Sequence, residues 1–571
     1  MLTKLVIRNL KRFDDVEIEL GNPVVFIGPN DSGKTTALQA MALWDIGLRR
    51  WNEKRKDKTA PEKRPGVTIN RRDLIAVPIP NAKLLWHDLG VSNGTEPKYI
   101  DILVEGVTDD KEWKCGFEFY YANEESFYCR PLRLSEEKSP QRLEVPEDAS
   151  WARIAFLPAM SGLAAHETRH EQGTINVLLG EGRTAEVLRN LCYQITSNEK
   201  AAERWRKLCE RMKHLFGVSL DSPQYIAERG EIYMTYRTHN DIRLDISASG
   251  RGLQQTLLLL AHLEVNPNSV LLLDEPDAHL EILRQRQIYN LLTEAAQEQS
   301  CQVIIASHSE VILNEAADRD VVVAFVGKPH RIDDRGSQAM KSLKEIGFDQ
   351  YYQAEQTGWV LYVEGPTDLA VLQSFAEVLR HSARKWLERP FVHYICNQPS
   401  KARDHFRGLR DAKRNLVGFT LCDRLESALQ STPELHEMMW KCREIENYLC
   451  QSETLLSFAE AHGKDSHGPL FAGPESARRR QAMDESIREY IPPAALQDSN
   501  DRWWLDVKAS DDFLDRVFAK YLSKLGLPLS LMKKSDYHGL AKFVPSALIS
   551  PDIVEVLDAI LAISTQAKPT V

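Results

Sequence analysis

The stretch FIGPNDSGKTT, residues 26–36, places Gly28, Gly33, Lys34 and Thr35 in the order G-x-x-x-x-G-K-T, with Asn30 inside the loop and Thr36 just after it. This spacing suits a loop whose backbone N–H groups surround phosphate oxygens, with the lysine on the β- and γ-phosphates and the threonine hydroxyl on Mg²⁺. Two later stretches end apolar runs in reactive side chains. NSVLLLDEPDAHLE (268–281) closes in Asp274-Glu275, and CQVIIASHSEVIL (301–313) closes in Ser307-His308. An aspartate at such a strand end can hold Mg²⁺, the next glutamate can orient an attacking water, and a histidine can touch the terminal phosphate. SASGRGLQQTLLLLAHL (247–263) opens an apolar helix from a glycine turn, so Ser249 and Gly250 form a second phosphate-seeking surface.

A separate group of acids follows residue 356. In GWVLYVEGPTDLAVLQSFAEVL (358–379), Glu364 and Asp368 flank a turn between a strand run and a helix that starts at Pro366. NLVGFTLCDRLES (415–427) ends a second apolar run in Asp423, and KCREIENYLC (441–450) supplies Glu444 and Glu446. Open α/β sheets place ligands at the C-terminal ends of their strands, so these acids are expected at one edge. Acids gathered there repel one another unless cations lie between them, and two Mg²⁺ or Mn²⁺ ions are the expected occupants. LMKKSDYHGLAKFV (531–544) gathers Lys533, Lys534 and Lys542 beside polar residues, which on their own read as a solvated helix start.

These residues need a scaffold, and the chain supplies one. VVFI before the first loop reads as a strand and TALQAMALWDI after it as a helix. YIDILVEGV (99–107), KEWKCGFEFYY (111–121), ARIAFLPAM (152–160) and the N-terminal MLTKLVIRNLKRFDD read as strand-bearing stretches. IAFLPAMSGL (154–163) stands where a lid loop would approach the nucleotide metal. Residues 166–216 have helical spacing and stand as either a dimerisation insertion or an ordinary packed hairpin. The 571 residues carry 43% hydrophobic and 27% charged side chains, an ordinary globular mixture. No apolar run approaches membrane-span length, which argues against a transporter. Nine cysteines without a CxxC pair argue against a zinc ribbon and a disulfide scaffold, and favour a cytoplasmic location. The net charge of −10 excludes a globally basic nucleic-acid coat. It leaves local patches at 49–58, 401–414 and 478–480, each equally readable as a solvated surface, and a polar linker or surface helix at 475–486.

The order of P-loop, serine-glycine signature, Asp-Glu-Pro and histidine resembles the ABC-type ATPases of the SMC, RecF and OLD groups. The second half, through Glu364-Gly365, Asp368, Asp423 and REIENYL, resembles a TOPRIM domain. The combination is the layout of OLD-family proteins, which include Gabija and retron-linked anti-phage effectors. The resemblance implies an α/β chain: an ABC-type ATPase head at 1–345 with the 166–216 helical insertion, a Rossmann-like TOPRIM core at 356–455, and a C-terminal helical extension at 456–571. It implies ATP held between two protomers, with Ser249 and Gly250 acting in trans and Glu275 and His308 serving hydrolysis. It further implies cleavage of DNA, or of RNA, at an Mg²⁺ or Mn²⁺ site formed by Glu364, Asp368, Asp423, Glu444 and Glu446, with Lys534 as its lysine. A homodimer or larger assembly, a defence-system partner protein and no membrane complete the expectation. Two departures are visible. The signature carries Arg251 and Leu253 around its second glycine, leaving Gln254 and Gln255 both open as its glutamine. The second acidic motif has Leu425 where D-x-D has its second aspartate. A RecF-like sensor with a non-cleaving TOPRIM domain is therefore the competing reading.

Overall fold

The computed structural model describes all residues except 56–65, 75, 78, 95, 136–140, 162, 165, 197–201, 318, 333–345, 466–471, 499–500, 529–530 and 571. The expected boundary at residue 345, part of the 49–58 patch, residue 162 of the lid stretch and the centre of the 166–216 stretch thus lie outside the described residues. The chain divides into two compact units, Met1–Met340 and Lys341–Val571.

The first unit contains two six-stranded sheets with a helix between them. One sheet is antiparallel, in the order Phe13–Glu19, Leu2–Leu10, Ile100–Thr108, Lys111–Asn123, Ser126–Pro131, Val67–Asn70. Alternation of buried and exposed positions along Phe13–Glu19 marks it as half-buried, one face packed and one solvated. The other sheet runs Ile154–Leu157, Val270–Asp274, Gln302–Ser307, Val24–Ile27, Val321–Ala324, His330–Arg331, parallel except at its last strand. Its central strands are nearly continuous apolar runs because neither face meets water. Helix Lys34–Arg55 fills the space between the sheets. Its Leu38, Met41 and Trp44 join one apolar core with Ile102, Phe117 and Phe119 on one side and Phe26, Leu272 and Ile304 on the other. Trp44 is fully buried and donates its indole N–H to the Cys115 carbonyl at 2.9 Å, which satisfies the one polar atom of a large apolar side chain.

Among the described residues, the 166–216 region contains the α-helices Gln172–Gly180, Leu188–Thr196 and Ala202–Phe216. The last two pack on helix Arg251–Val265, which opens from the signature turn. The buried Glu167 carboxylate accepts the N–H groups of Arg189 and Asn190, and Arg189 reaches Asp245 at 3.0 Å. Asp245 in turn caps the turn containing the signature, accepting the Ser247 N–H at 2.8 Å. Through these contacts the helices brace the signature.

The second unit has a four-stranded parallel sheet in the order Val392–Tyr394, Trp359–Val363, Val417–Cys422, Leu435–Met439. Helices Pro366–Val378 and Pro399–Ala412 form its crossovers. The C-terminal helices Ala472–Tyr490, Asp515–Leu525 and Pro551–Ser564 share a single core with this sheet, joining Met483, Val517 and Leu557 to Leu361 and Phe419. The stretch 475–486 therefore lies in a packed helix. Its Arg479 is buried and bonded to Glu475 and His462, so it is not a free basic surface. No described helix is long and apolar enough to cross a membrane.

Candidate functional site

Strand Val24–Ile27 lies inside the parallel sheet and delivers the 28–33 loop to its C-terminal edge. The glycines are required by space. A Cβ on Gly28 would stand 2.7 Å from Ser32 Oγ and 3.0 Å from the Phe325 carbonyl oxygen. Gly33 has φ +104°, and a Cβ there would meet the Phe13 ring at 2.6 Å. Lys34 is buried and donates to the carbonyls of Gly28 at 2.6 Å and Pro29 at 2.8 Å. Burial pushes its pKa down, against the pull of Glu275, Asp274 and Asp277. Thr35 donates its hydroxyl to Asp274 at 2.9 Å. Burial raises the Asp274 carboxyl to about 6, with the Thr35 hydrogen bond opposing. Asn30 is exposed at the loop tip and Thr36 half-buried in the first helical turn.

Because Val270–Asp274, Gln302–Ser307 and Val24–Ile27 are adjacent and parallel, Asp274, Glu275 and His308 emerge at the same edge as the loop. His308 Nδ1 stands 3.6 Å from Glu275 Oε1, both side chains partly exposed. Glu275 has φ +47°, sparsely populated for a side chain of this size and held by a 2.8 Å hydrogen bond from its N–H to the Ala306 carbonyl. Asp277, buried just beyond, accepts the Ser307 hydroxyl at 2.8 Å and ties the two strand ends together. The glycine cradle, a lysine among acids and a threonine–aspartate pair suit a nucleotide triphosphate with Mg²⁺.

Ser249 and Gly250 lie elsewhere in the unit, lining a cleft of about 750 Å³ with Thr238, His279 and Arg284; no residue of the 28–36 loop lines it. Ser249 donates to the Ile246 carbonyl at 2.7 Å, and Gly250 caps helix Arg251–Val265. The two glutamines divide their work. Gln254 is buried and donates to the Ser249 carbonyl at 2.9 Å, locking the turn, while Gln255 points to the Pro276 carbonyl at 3.3 Å, beside the Asp-Glu-Pro loop.

In the second unit, Glu364 directly follows strand Trp359–Val363, and Asp423 directly follows the adjacent Val417–Cys422. Asp368 stands in the first turn of its helix and accepts the Gly365 N–H at 2.6 Å. Glu444 and Glu446 sit at the start of the short helix Ile445–Leu449, held by Asn447, whose amide donates to the carbonyls of Trp504 and Val507. Asp368, Glu444 and Glu446 are buried. Asp423 is raised to about 9 by burial and by Glu364, with which it shares a hydrogen bond, and by Asp368 and Glu446. Glu446 is raised to about 7 by burial and the neighbouring Glu444, and burial, with Glu364 adding, raises Asp368 to about 6. Among the described residues no three such side chains close on one point. Asp423 is instead bonded to Glu364, Asp368 to a backbone N–H, and Glu444 to the Ser510 N–H. The donors are the hard carboxylate oxygens that Mg²⁺ and Mn²⁺ prefer, and a cation would relieve the repulsion that pushes Asp423 up, so the donor chemistry fits. Lys534 bonds to Asp511 at 3.0 Å within the field of Glu446 and Glu444.

Leu425 does not face this group. It packs with Met439 against the apolar cluster containing Phe406 and Cys422, while Glu426 is exposed. Sequence reasoning missed Ser510, Asp511 and Lys508, which lie in a polar stretch with no motif spacing.

The first unit is thus a P-loop nucleotide-binding head. An "AAA ATPase domain" model matches residues 1–59, and an "AAA domain, putative AbiEii toxin, Type IV TA system" model matches 198–314. More particularly, the chain is similar to an OLD nuclease of Thermus scotoductus, 24% identical over 369 residues. The match covers 57% of this chain and 64% of that protein, so the chain spans less than two thirds of that relative's length. Solved structures that align include the SMC head domain of Thermotoga maritima (14% identity, 58% of this chain and 98% of that one, TM-score 0.31). Another is a Pyrococcus furiosus Smc head with an extended coiled coil bound to a ScpA domain (16%, 60% and 99%, TM-score 0.35). At such scores these heads add nothing to the strand orders given above.

Proposed function

We propose that the chain is an ATP-regulated, divalent-cation-dependent endonuclease or nickase of the OLD type, acting on DNA, with RNA as the other candidate substrate. Its ATPase domain would span 1–345, its TOPRIM core 356–455, and the helices of 456–571 would complete the nuclease half. The observation that carries the reading is the carboxylate group at the edge of the second parallel sheet, where Glu364 and Asp423 end adjacent strands, the buried Asp368 and Glu446 lie within their field, and Lys534 stands near Glu446. Such an arrangement costs stability and gains a purpose when cations bind.

In the head, the loop N–H groups and Lys34 hold the β- and γ-phosphates, Thr35 and Asp274 hold the Mg²⁺, Glu275 orients water, and His308 steadies Glu275 and reads the γ-phosphate. Ser249 and Gly250, turned to a different cleft, would serve the nucleotide of a second copy, which makes a homodimer or larger assembly the working form. In the second unit, Glu364, Asp368, Asp423, Glu444 and Glu446 hold Mg²⁺ or Mn²⁺. When bound, the cations neutralise charge on the attacking and leaving oxygens of the phosphodiester. Lys534 adds positive charge against the phosphate oxygens. Similarity to an OLD nuclease and to a family described by a toxin of type IV TA systems supports a place in anti-phage defence, with a partner protein in the same system.

The test is nicking of supercoiled plasmid in Mg²⁺ or Mn²⁺, with and without ATP, by wild type, Glu364→Ala and Lys34→Ala. Nicking lost in Glu364→Ala, and altered by ATP only when Lys34 is present, is the expected result. A second reading, an ATP-gated nucleic-acid sensor that does not cut, is favoured by one observation: Leu425 is spent on apolar packing and gives the site no second aspartate. It takes over if no condition yields cleavage while ATP is hydrolysed.

A further inference from the structure

A rare element lies beside the acid group. Residues Ala509–Leu514 form a π-helix, a form that occurs mostly as single turns and often at functional sites. Its first turn makes two contacts toward the site. The Ser510 N–H donates to Glu444 Oε1 at 2.5 Å. Asp511 receives two ammonium groups on its two oxygens: Lys534 on Oδ1 at 3.0 Å and Lys508 on Oδ2. Lys508 lies within the field of both Glu444 and Lys534, so the second lysine stands at the same site. The Ser510 hydroxyl is buried without a hydrogen-bond partner among the described residues, so Ser510 reaches Glu444 through its backbone N–H.

The chemistry of the pair follows from Asp511. One carboxylate, two oxygens, holds two ammonium groups side by side, which is the arrangement two non-bridging oxygens of a phosphodiester would ask for. Neither lysine is buried, and each ammonium has three N–H donors, so each can stay on Asp511 and still offer a donor to a phosphate oxygen.

We infer that Lys508 and Lys534 form a paired phosphate grip for the nucleic-acid backbone, with Asp511, aimed by the π-helix, as the positioning residue that sets the pair beside Glu444 and Glu446. The inference rests on the nuclease site proposed above, but it concerns binding and can be tested without cleavage.

The full-length chain is titrated in EDTA against a fluorescein-labelled DNA duplex by anisotropy over a series of KCl concentrations. Each phosphate contact contributes about 0.9 to the slope of log affinity against log salt, so Lys508→Ala is expected to lower the slope by about that amount. Lys520→Ala removes the same charge from an exposed pair with Glu489 in the same unit and is expected to leave the slope unchanged. Under cleaving conditions, Asp511→Asn is expected to lower kcat about tenfold or more with KM little changed, and Asp511→Glu to restore most of it. If plasmid is never cut but Lys508→Ala alone lowers the slope, the grip stands and the nuclease reading fails. If plasmid is cut and Lys508→Ala binds with the wild-type slope, the grip is overturned.

Discussion

The two sites gather charge in opposite ways. The head's candidate phosphate site lies in one eleven-residue stretch, in which glycines clear the space and Lys34 sits among its own loop carbonyls. The second unit brings like-charged acids together from three stretches, holding Glu364 with Asp368, Asp423, and Glu444 with Glu446, and they settle by the Asp423–Glu364 hydrogen bond and by borrowing backbone N–H groups. A site for an anion can be complete before its ligand arrives, because peptide N–H groups carry no net charge. A site for cations built of carboxylates is strained until they come. The comparison predicts that each site fails alone.

The largest effects test that separation. Lys34→Ala is expected to reduce ATP turnover on the order of a hundredfold or more, and Glu364→Ala to reduce nicking by a similar factor while ATP turnover stays within about twofold. Parallel measurement of phosphate release and plasmid nicking reads both. If Glu364→Ala abolished ATP turnover as well, the two sites would be one machine and the comparison would collapse. Glu275→Gln sharpens the head's side. It keeps the shape of the strand end and removes the carboxylate, so hydrolysis should fall about a hundredfold while a fluorescent ATP analogue still binds.

How far these sites were legible in the sequence follows the same contrast. The phosphate loop, Asp274, Glu275 and His308 are written in contiguous motifs whose flanking apolar runs become adjacent parallel strands, so their order along the chain already implied their meeting. Glu364 and Asp423 were legible for the same reason, each ending a strand run, and Asp368 because it opens the helix that follows Glu364. What could not be read was set by long-range packing. Gln254 and Gln255 are neighbours in sequence, and only the helix phase decides that one locks the Ser249 turn and the other reaches Pro276. The 166–216 stretch has a helical pattern that says nothing about its partner, which proved to be the signature helix. Asp511 gave no signal because a π-helix has no familiar periodicity, and Lys508 precedes it in a polar stretch without motif spacing.

A smaller effect separates the units by pH. His262 is buried in the signature helix, and burial lowers its pKa from 6.5 to about 4. The unfolded chain then takes up a proton that the folded one refuses. Stability from this residue is complete above pH 6.5 and is lost as pH falls toward 4, by about 2 kcal/mol at pH 5. The protection of helix Arg251–Val265, taken as the ratio of intrinsic to observed exchange rate, should therefore fall between pH 7 and pH 5, and His262→Met should remove that fall. His405, lowered to about 3 by burial and by the stacked His393, gives helix Pro399–Ala412 of the second unit its own acid sensitivity, which His262→Met should leave intact. Equal loss in both helices would show that exchange reports something other than His262.

The smallest effect decides the most about the second unit. Leu425 stands where a second aspartate would complete the acidic motif, yet its side chain packs with Met439 on the apolar cluster under the sheet. An aspartate introduced there has two choices. It can keep the leucine's direction and bury a carboxylate among apolar groups, or it can turn outward and give up the packing. Leu425 is only partly buried, so the second choice costs about 1 kcal/mol, near 2–3 °C in melting temperature for a unit of this size. The expected outcome for Leu425→Asp is thus a slightly less stable protein that nicks plasmid no faster than wild type, because Glu364, Asp368, Asp423 and Glu446 already supply the donors. A several-fold gain in nicking would mean that the new carboxylate reaches the cluster. The natural leucine would then be a brake on a site that has the geometry to cut faster, and the acid group would be incomplete in a way its present contacts do not reveal.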